Sequence, residues 1–146
     1  MEAKDRLTDQ NVAAEVRRCR EWFKDHTAKW ERLSPTVERL EYSKPGTVCC
    51  MVTVLFDDRL KMIAIGGDLG HAILRPYTWP CRLSFFGETL LRSFSYFAEK
   101  IRCSDRFDVR EYNPEGVTWW RCLVWWQVAM HDAAHEVKDR IAKAYS

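Results

Sequence analysis

Three apolar runs joined by connections of three or four residues constrain this chain more than any other feature. TVCCMVTVLF (47–56) is β-branched and apolar, and Asp57-Asp58-Arg59 follows it. LKMIAIG (60–66) returns, Gly67-Asp68-Leu69-Gly70 turns, and HAILRPY (71–77) runs back. Connections this short join only antiparallel neighbours, because a parallel crossover needs about a dozen residues or more. The segment therefore predicts a three-stranded antiparallel meander. The first run is apolar at both alternating positions, which points to the central, most buried strand. Cys49 and Cys50 are adjacent and fall on opposite faces of it. Pro76 cannot donate to a ladder and suits a strand end.

On either side the period changes to about 3.6. Val12, Val16, Cys19, Phe23, His26, Trp30 and Leu33 form one narrow helical stripe. With Thr8 or Asp9 as cap, they predict a helix over 9–33, ended by Ser34-Pro35. Residues 36–42 read as a second short helical piece. Ser84 caps a helix over 85–102, with Phe86, Leu90, Phe94, Phe97 and Ile101 on its buried face. A link over 103–113 contains a possible short strand, FDVREY. Asn113-Pro114-Glu115 starts a last helix over 114–144. Its buried face is Trp120, Leu123, Val124, Gln127, Met130, Ala134, Val137 and Ile141. The Val, Thr and Trp content of VTWWRCLVWW also fits a strand, but the cap and the uninterrupted run favour helix. The expected fold is α+β: a three-stranded meander packed against two or three amphipathic helices, in the order α-β-β-β-α-α.

The chain has 146 residues, the size of one domain, and 47% of them are hydrophobic, enough for a substantial core. A net charge of +2 is too balanced to imply nucleic-acid binding by itself. No apolar run is long enough to span a membrane, and MEAKDRLTDQ has no signal-peptide core. These features lead us to expect a cytoplasmic protein whose six cysteines are reduced thiols packed as small hydrophobes. No CxxC pair suggests a zinc knuckle.

His131 and His135 in HDAAH lie one turn apart on a helix, the spacing of a metal-binding pair. In zinc proteases a Glu follows the first His as base; here it is Asp132, and no third ligand is evident. GGDLGH (66–71) lacks the Lys-Ser/Thr of a phosphate loop, and its glycines read better as turn residues. No GxSxG nucleophile motif is present, and nothing singles out Cys49 with His26 or His71. The aromatic excess remains. Trp119, Trp120, Trp125 and Trp126 are spread around a helix at about 100° per residue, so they cannot all face one core. Trp119, Trp125 and Trp126 with Arg121 and Arg110 therefore read as a partner-binding surface. Asp57 and Asp58 form a second, acidic patch. Arg17, Arg18, Arg20 and Lys24 on the first helix offer an alternative nucleic-acid face.

The progression Gly67-Asp68-Leu69-Gly70, Leu83-Ser84-Phe85-Phe86, Tyr96-Phe97-Ala98-Glu99-Lys100 and Tyr112-Asn113-Pro114-Glu115 resembles small accessory proteins of temperate tailed phages, over about residues 60–120. The function of that family is largely unknown, so the resemblance carries over no catalytic residues. It implies a context in which small proteins bind and block host machinery, including CRISPR–Cas complexes. The reading is thus a non-enzymatic, anti-CRISPR-like inhibitor of a host protein complex, acting in the host cytoplasm without a cofactor. Nucleic-acid binding and a metal-dependent hydrolase at His131 and His135 are the alternatives. The Cys19/Phe23/His26/Trp30 stripe leaves monomer and homodimer both open.

Overall fold

The computed structural model describes residues 6–47, 50–76, 80–85, 94–105 and 120–146. The first helix, α1 (Asp9–Trp22), is capped by Thr8, whose hydroxyl accepts from the Asn11 N–H at 3.1 Å. It stops eleven residues before the expected end at Leu33. Phe23 makes the closing bond to the Cys19 carbonyl, and the His26 N–H turns back to the Phe23 carbonyl at 2.8 Å. The chain then enters β1 (Thr27–Ser34) and, after a tight turn at Pro35-Thr36, β2 (Val37–Ser43). Residues expected in a long helix and a short one are thus an antiparallel hairpin, with Trp30 opposite Leu40.

The physical reason is that β2 alternates Glu38, Leu40 and Tyr42 inward against Arg39 and Glu41 outward. An inward charge at Glu38 disguises the period of two. Upstream, His26 and Trp30 happen to continue the helical spacing of α1 from a loop and a strand.

β3 (Val52–Asp57), β4 (Met62–Gly67) and β5 (Ala72–Leu74) are the expected meander. β3 begins at Val52 rather than Thr47, and Cys50 lies in the preceding turn with φ 55, not on a strand face. Cys49 lies outside the described residues. Among the described residues the meander is the middle of a larger sheet, six strands in the order β1-β2-β3-β4-β5-β6, every neighbour antiparallel. The helix α2 (Phe94–Lys100) ends at Lys100, because Ile101–Ser104 forms β6 and pairs with β5. The expected strand FDVREY lies outside the described residues.

The terminal helical segment is α3 (Trp120–Glu136), a break at Val137, and α4 (Lys138–Ala144). From Trp120 onward the Trp-rich run is helix, not strand. All eight residues assigned to its inner face are buried, and Trp126, Val128, Ala129 and Ala133 are buried as well. α3 is therefore covered on more than one side, by the sheet and by α1, with which it shares one core. The fold is α+β, with the helices gathered on one face of an antiparallel sheet.

Three polar ties hold that covered face. Arg20 of α1 meets Asp132 of α3 at 3.3 and 3.4 Å. Glu136 accepts the Ala28 N–H of the edge strand at 2.9 Å. Glu38, 1% exposed, accepts from the Trp30 indole at 3.2 Å, from the Leu83 N–H at 2.9 Å and from the Tyr145 hydroxyl. Arg32 and Arg82 stack on the Tyr145 ring with their guanidinium carbons 4.2 and 4.3 Å from its centre. One buried carboxylate thus ties the chain's end to strand β2.

Candidate functional site

The other face of the sheet carries a groove of about 740 Å³ with a mainly apolar lining. Strand register builds it. Arg39, Leu55, Ala64, Ile73 and Cys103 are successive ladder partners across β2 to β6. At about 4.8 Å per strand this row is about 19 Å long. Leu55, at 38% exposure, is one of the few large apolar side chains left open to solvent.

A second row lies two residues along each strand. Glu41 pairs with Thr53 and Thr53 with Gly66. The row continues through His71 to Asp105, just beyond the paired ends of β5 and β6. Asp105 accepts the His71 backbone N–H at 2.7 Å with one oxygen and meets ring Nδ1 at 2.8 Å with the other. The Asp105 N–H returns to the His71 carbonyl at 3.2 Å, and Ser104 Oγ donates to the same carbonyl at 2.8 Å. The His71 backbone N–H first, and its ring second, hold the Asp105 carboxyl below its ordinary value. In the neutral ring, a carboxylate facing Nδ1 places the proton on that nitrogen and leaves the Nε2 lone pair for the groove. The ring lies across Gly66: a Cβ there would sit 3.4 Å from His71 Cδ2 and 3.1 Å from Thr53 Oγ1. The groove therefore has an apolar edge and a hydrogen-bonding edge.

No protein-family model, curated protein or solved structure matches the chain.

The residues singled out from sequence are dispersed. Trp126 is wholly buried, and its indole N–H finds no partner among the described residues. It is a core residue and presents nothing to a partner, because α3 is packed on several sides. Trp125 is half-buried, donates to Glu15 Oε1 at 2.7 Å, and meets the exposed Trp22 edge-on at 6.3 Å. Arg121 stands 3.8 Å from Glu15, which also faces Arg18 at 3.7 Å. Trp119 and Arg110 lie outside the described residues. Trp22, the last residue of α1, is 57% exposed and joins this aromatic ridge.

Asp57 ends β3 and Asp58 follows it, and both fasten the turn instead of forming a free acidic patch. Asp57 accepts the N–H groups of Arg59 and Leu60 at 3.0 and 2.9 Å. Asp58 takes Lys61 at 2.6 Å and the Cys81 N–H at 2.8 Å, and Lys61 above all holds it below its ordinary value. The basic face of α1 is largely answered by acids: Arg18 by Glu15, Arg20 by Asp132 and Lys24 by Glu21 at 3.1 Å, while Arg17 is exposed.

His131 and His135 line one small cavity of about 130 Å³ together with Lys138, whose positive charge opposes a metal ion. His131 Nδ1 meets Asp132 at 3.0 Å. Among the described residues no group of three or more His, Cys, Asp or Glu side chains could hold a metal. The Cys19/Phe23/His26/Trp30 stripe is 9% exposed or less throughout, so it belongs to the core rather than to a dimer seam. No helix among the described residues is long and apolar enough to cross a membrane.

Proposed function

We propose that this chain works by binding, and that the open sheet face is its recognition surface. The observation that carries the reading is the two-row groove. Several apolar side chains line up outward on adjacent strands, where a solvated sheet face ordinarily alternates to polar residues. A concave, mostly apolar surface with a few placed polar groups is the usual form of a ligand site.

The test uses Nile red, an uncharged apolar dye whose emission rises in apolar surroundings. Its emission should rise on the folded protein and fall at least fivefold in Leu55→Glu. The exposed position of Leu55 lets that variant keep its circular dichroism spectrum and melting temperature. Equal emission from both proteins would refute the reading.

The Trp22–Trp125 ridge, flanked by Arg18 and Arg121, favours a second surface suited to a protein partner. It supports the proposal that the partner is a host macromolecular complex of the kind the phage resemblance implies. A complex that survives Leu55→Glu but is lost in Trp22→Ala on gel filtration would assign the partner to the ridge. Loss in the opposite pair would assign it to the sheet face.

A further inference from the structure

This inference rests on the binding reading above and names the ligand's chemistry. We infer that the groove takes an elongated amphipathic molecule whose polar group is a neutral hydrogen-bond donor, a hydroxyl above all, seated at His71. Leu55, Ala64 and Ile73 offer the ligand an apolar bed on consecutive strands. Beside it the polar row ends in a histidine whose Nδ1 is engaged by Asp105 at 2.8 Å. In the neutral ring the remaining nitrogen is an acceptor, so it rewards a donor.

Charge decides between a hydroxyl and a carboxylate. At the His71 end the groove is lined by the Asp105 carboxylate, which repels an anionic head. The nearest cation in the groove, Arg39, stands in the apolar row and faces Glu31 at 3.8 Å. Gly66 leaves room for the His71 ring, since a Cβ there would sit 3.4 Å from its Cδ2 and 3.8 Å from its Nε2.

The experiment titrates the full chain at neutral pH with three probes: 4-butylphenol, butylbenzene and 4-butylbenzoate. Binding is followed by backbone amide NMR, with the side-chain nitrogens of His71 read in parallel. The phenol should bind about threefold tighter than butylbenzene, the net worth of one hydrogen bond at a side chain that water also reaches. It should shift Nε2 rather than Nδ1. His71→Phe, which keeps a ring over Gly66, should bind both neutral probes alike. Equal affinity of phenol and butylbenzene for the native chain would overturn the donor assignment while leaving the groove intact. So would a preference for the benzoate, or a phenol preference that persists in His71→Phe. Failure of all three probes to bind would remove the groove reading and this inference together.

Discussion

Glu38 is the most exposing place to perturb this fold. A charged side chain at 1% exposure survives only because its oxygens are occupied, here by an indole N–H, a backbone N–H and a phenol. Glu38→Ala removes the acceptor and leaves the Trp30 and Leu83 donors buried without it. Each stranded donor costs about 1–3 kcal/mol, and the vacated volume adds to that, so the variant should lose about 4 kcal/mol. For a chain of this length, that is a fall of about 10 °C in Tm. Tyr145→Phe removes one bond only, at a partly exposed side chain, and should cost about 1 kcal/mol. Because Tyr145 acts through Glu38, the double variant should cost less than the two singles added. Urea unfolding followed by far-UV circular dichroism measures all three. A loss below about 1 kcal/mol in Glu38→Ala would show that the cluster does not hold the covered face, and additive singles would show that Tyr145 is not tied to Glu38.

Three further outcomes are expected. Burial raises the Cys81 thiol and the Tyr42 phenol to about 12, from 9.0 and 10.0, and burial with the Glu38 contact raises Tyr145 to about 12. Groups whose folded value is raised stabilise the fold below their unfolded value and lose that contribution as pH climbs toward the folded one. The urea midpoint should therefore hold up to about pH 9 and decline from there toward pH 12; an unchanged midpoint at pH 11 would contradict this. Gly67 has φ +109, and a Cβ on it would lie 2.1 Å from the Met51 carbonyl oxygen. Gly67→Ala should cost about 3 kcal/mol or more in the same unfolding assay, and a loss below about 0.5 kcal/mol would be inconsistent with the β3–β4 geometry. Trp126→Glu should prevent folding, whereas Trp22→Ala should cost about 1 kcal/mol, the worth of its edge-on contact with Trp125; similar melting curves for the two would place Trp126 at the surface after all.

The sequence shows the parts whose signals are local. Short connections and a period of two mark β3, β4 and β5, and the buried face of α3 follows from helical spacing alone. β1 and β2 were hidden by two coincidences, the inward charge at Glu38 and the helical spacing of His26 and Trp30. Both are settled by tertiary contacts that local pattern does not contain. Trp126 was misplaced for a related reason, since the sequence does not say how many sides of α3 are covered. The groove leaves a trace in the apolar outward positions of the first apolar run, which in sequence alone look like burial on both faces. His71 and Asp105, 34 residues apart, are joined only by strand register.

Backbone amide NMR during a titration with 4-butylphenol tests the central claim most directly, because it reports where a ligand sits as well as whether it binds. The largest shifts should fall at Thr53, Leu55, Ala64, Gly66, His71 and Ile73, with α1 and α3 quiet. Shifts concentrated at Trp22, Trp125 and their helices, with the sheet face unmoved, would contradict it.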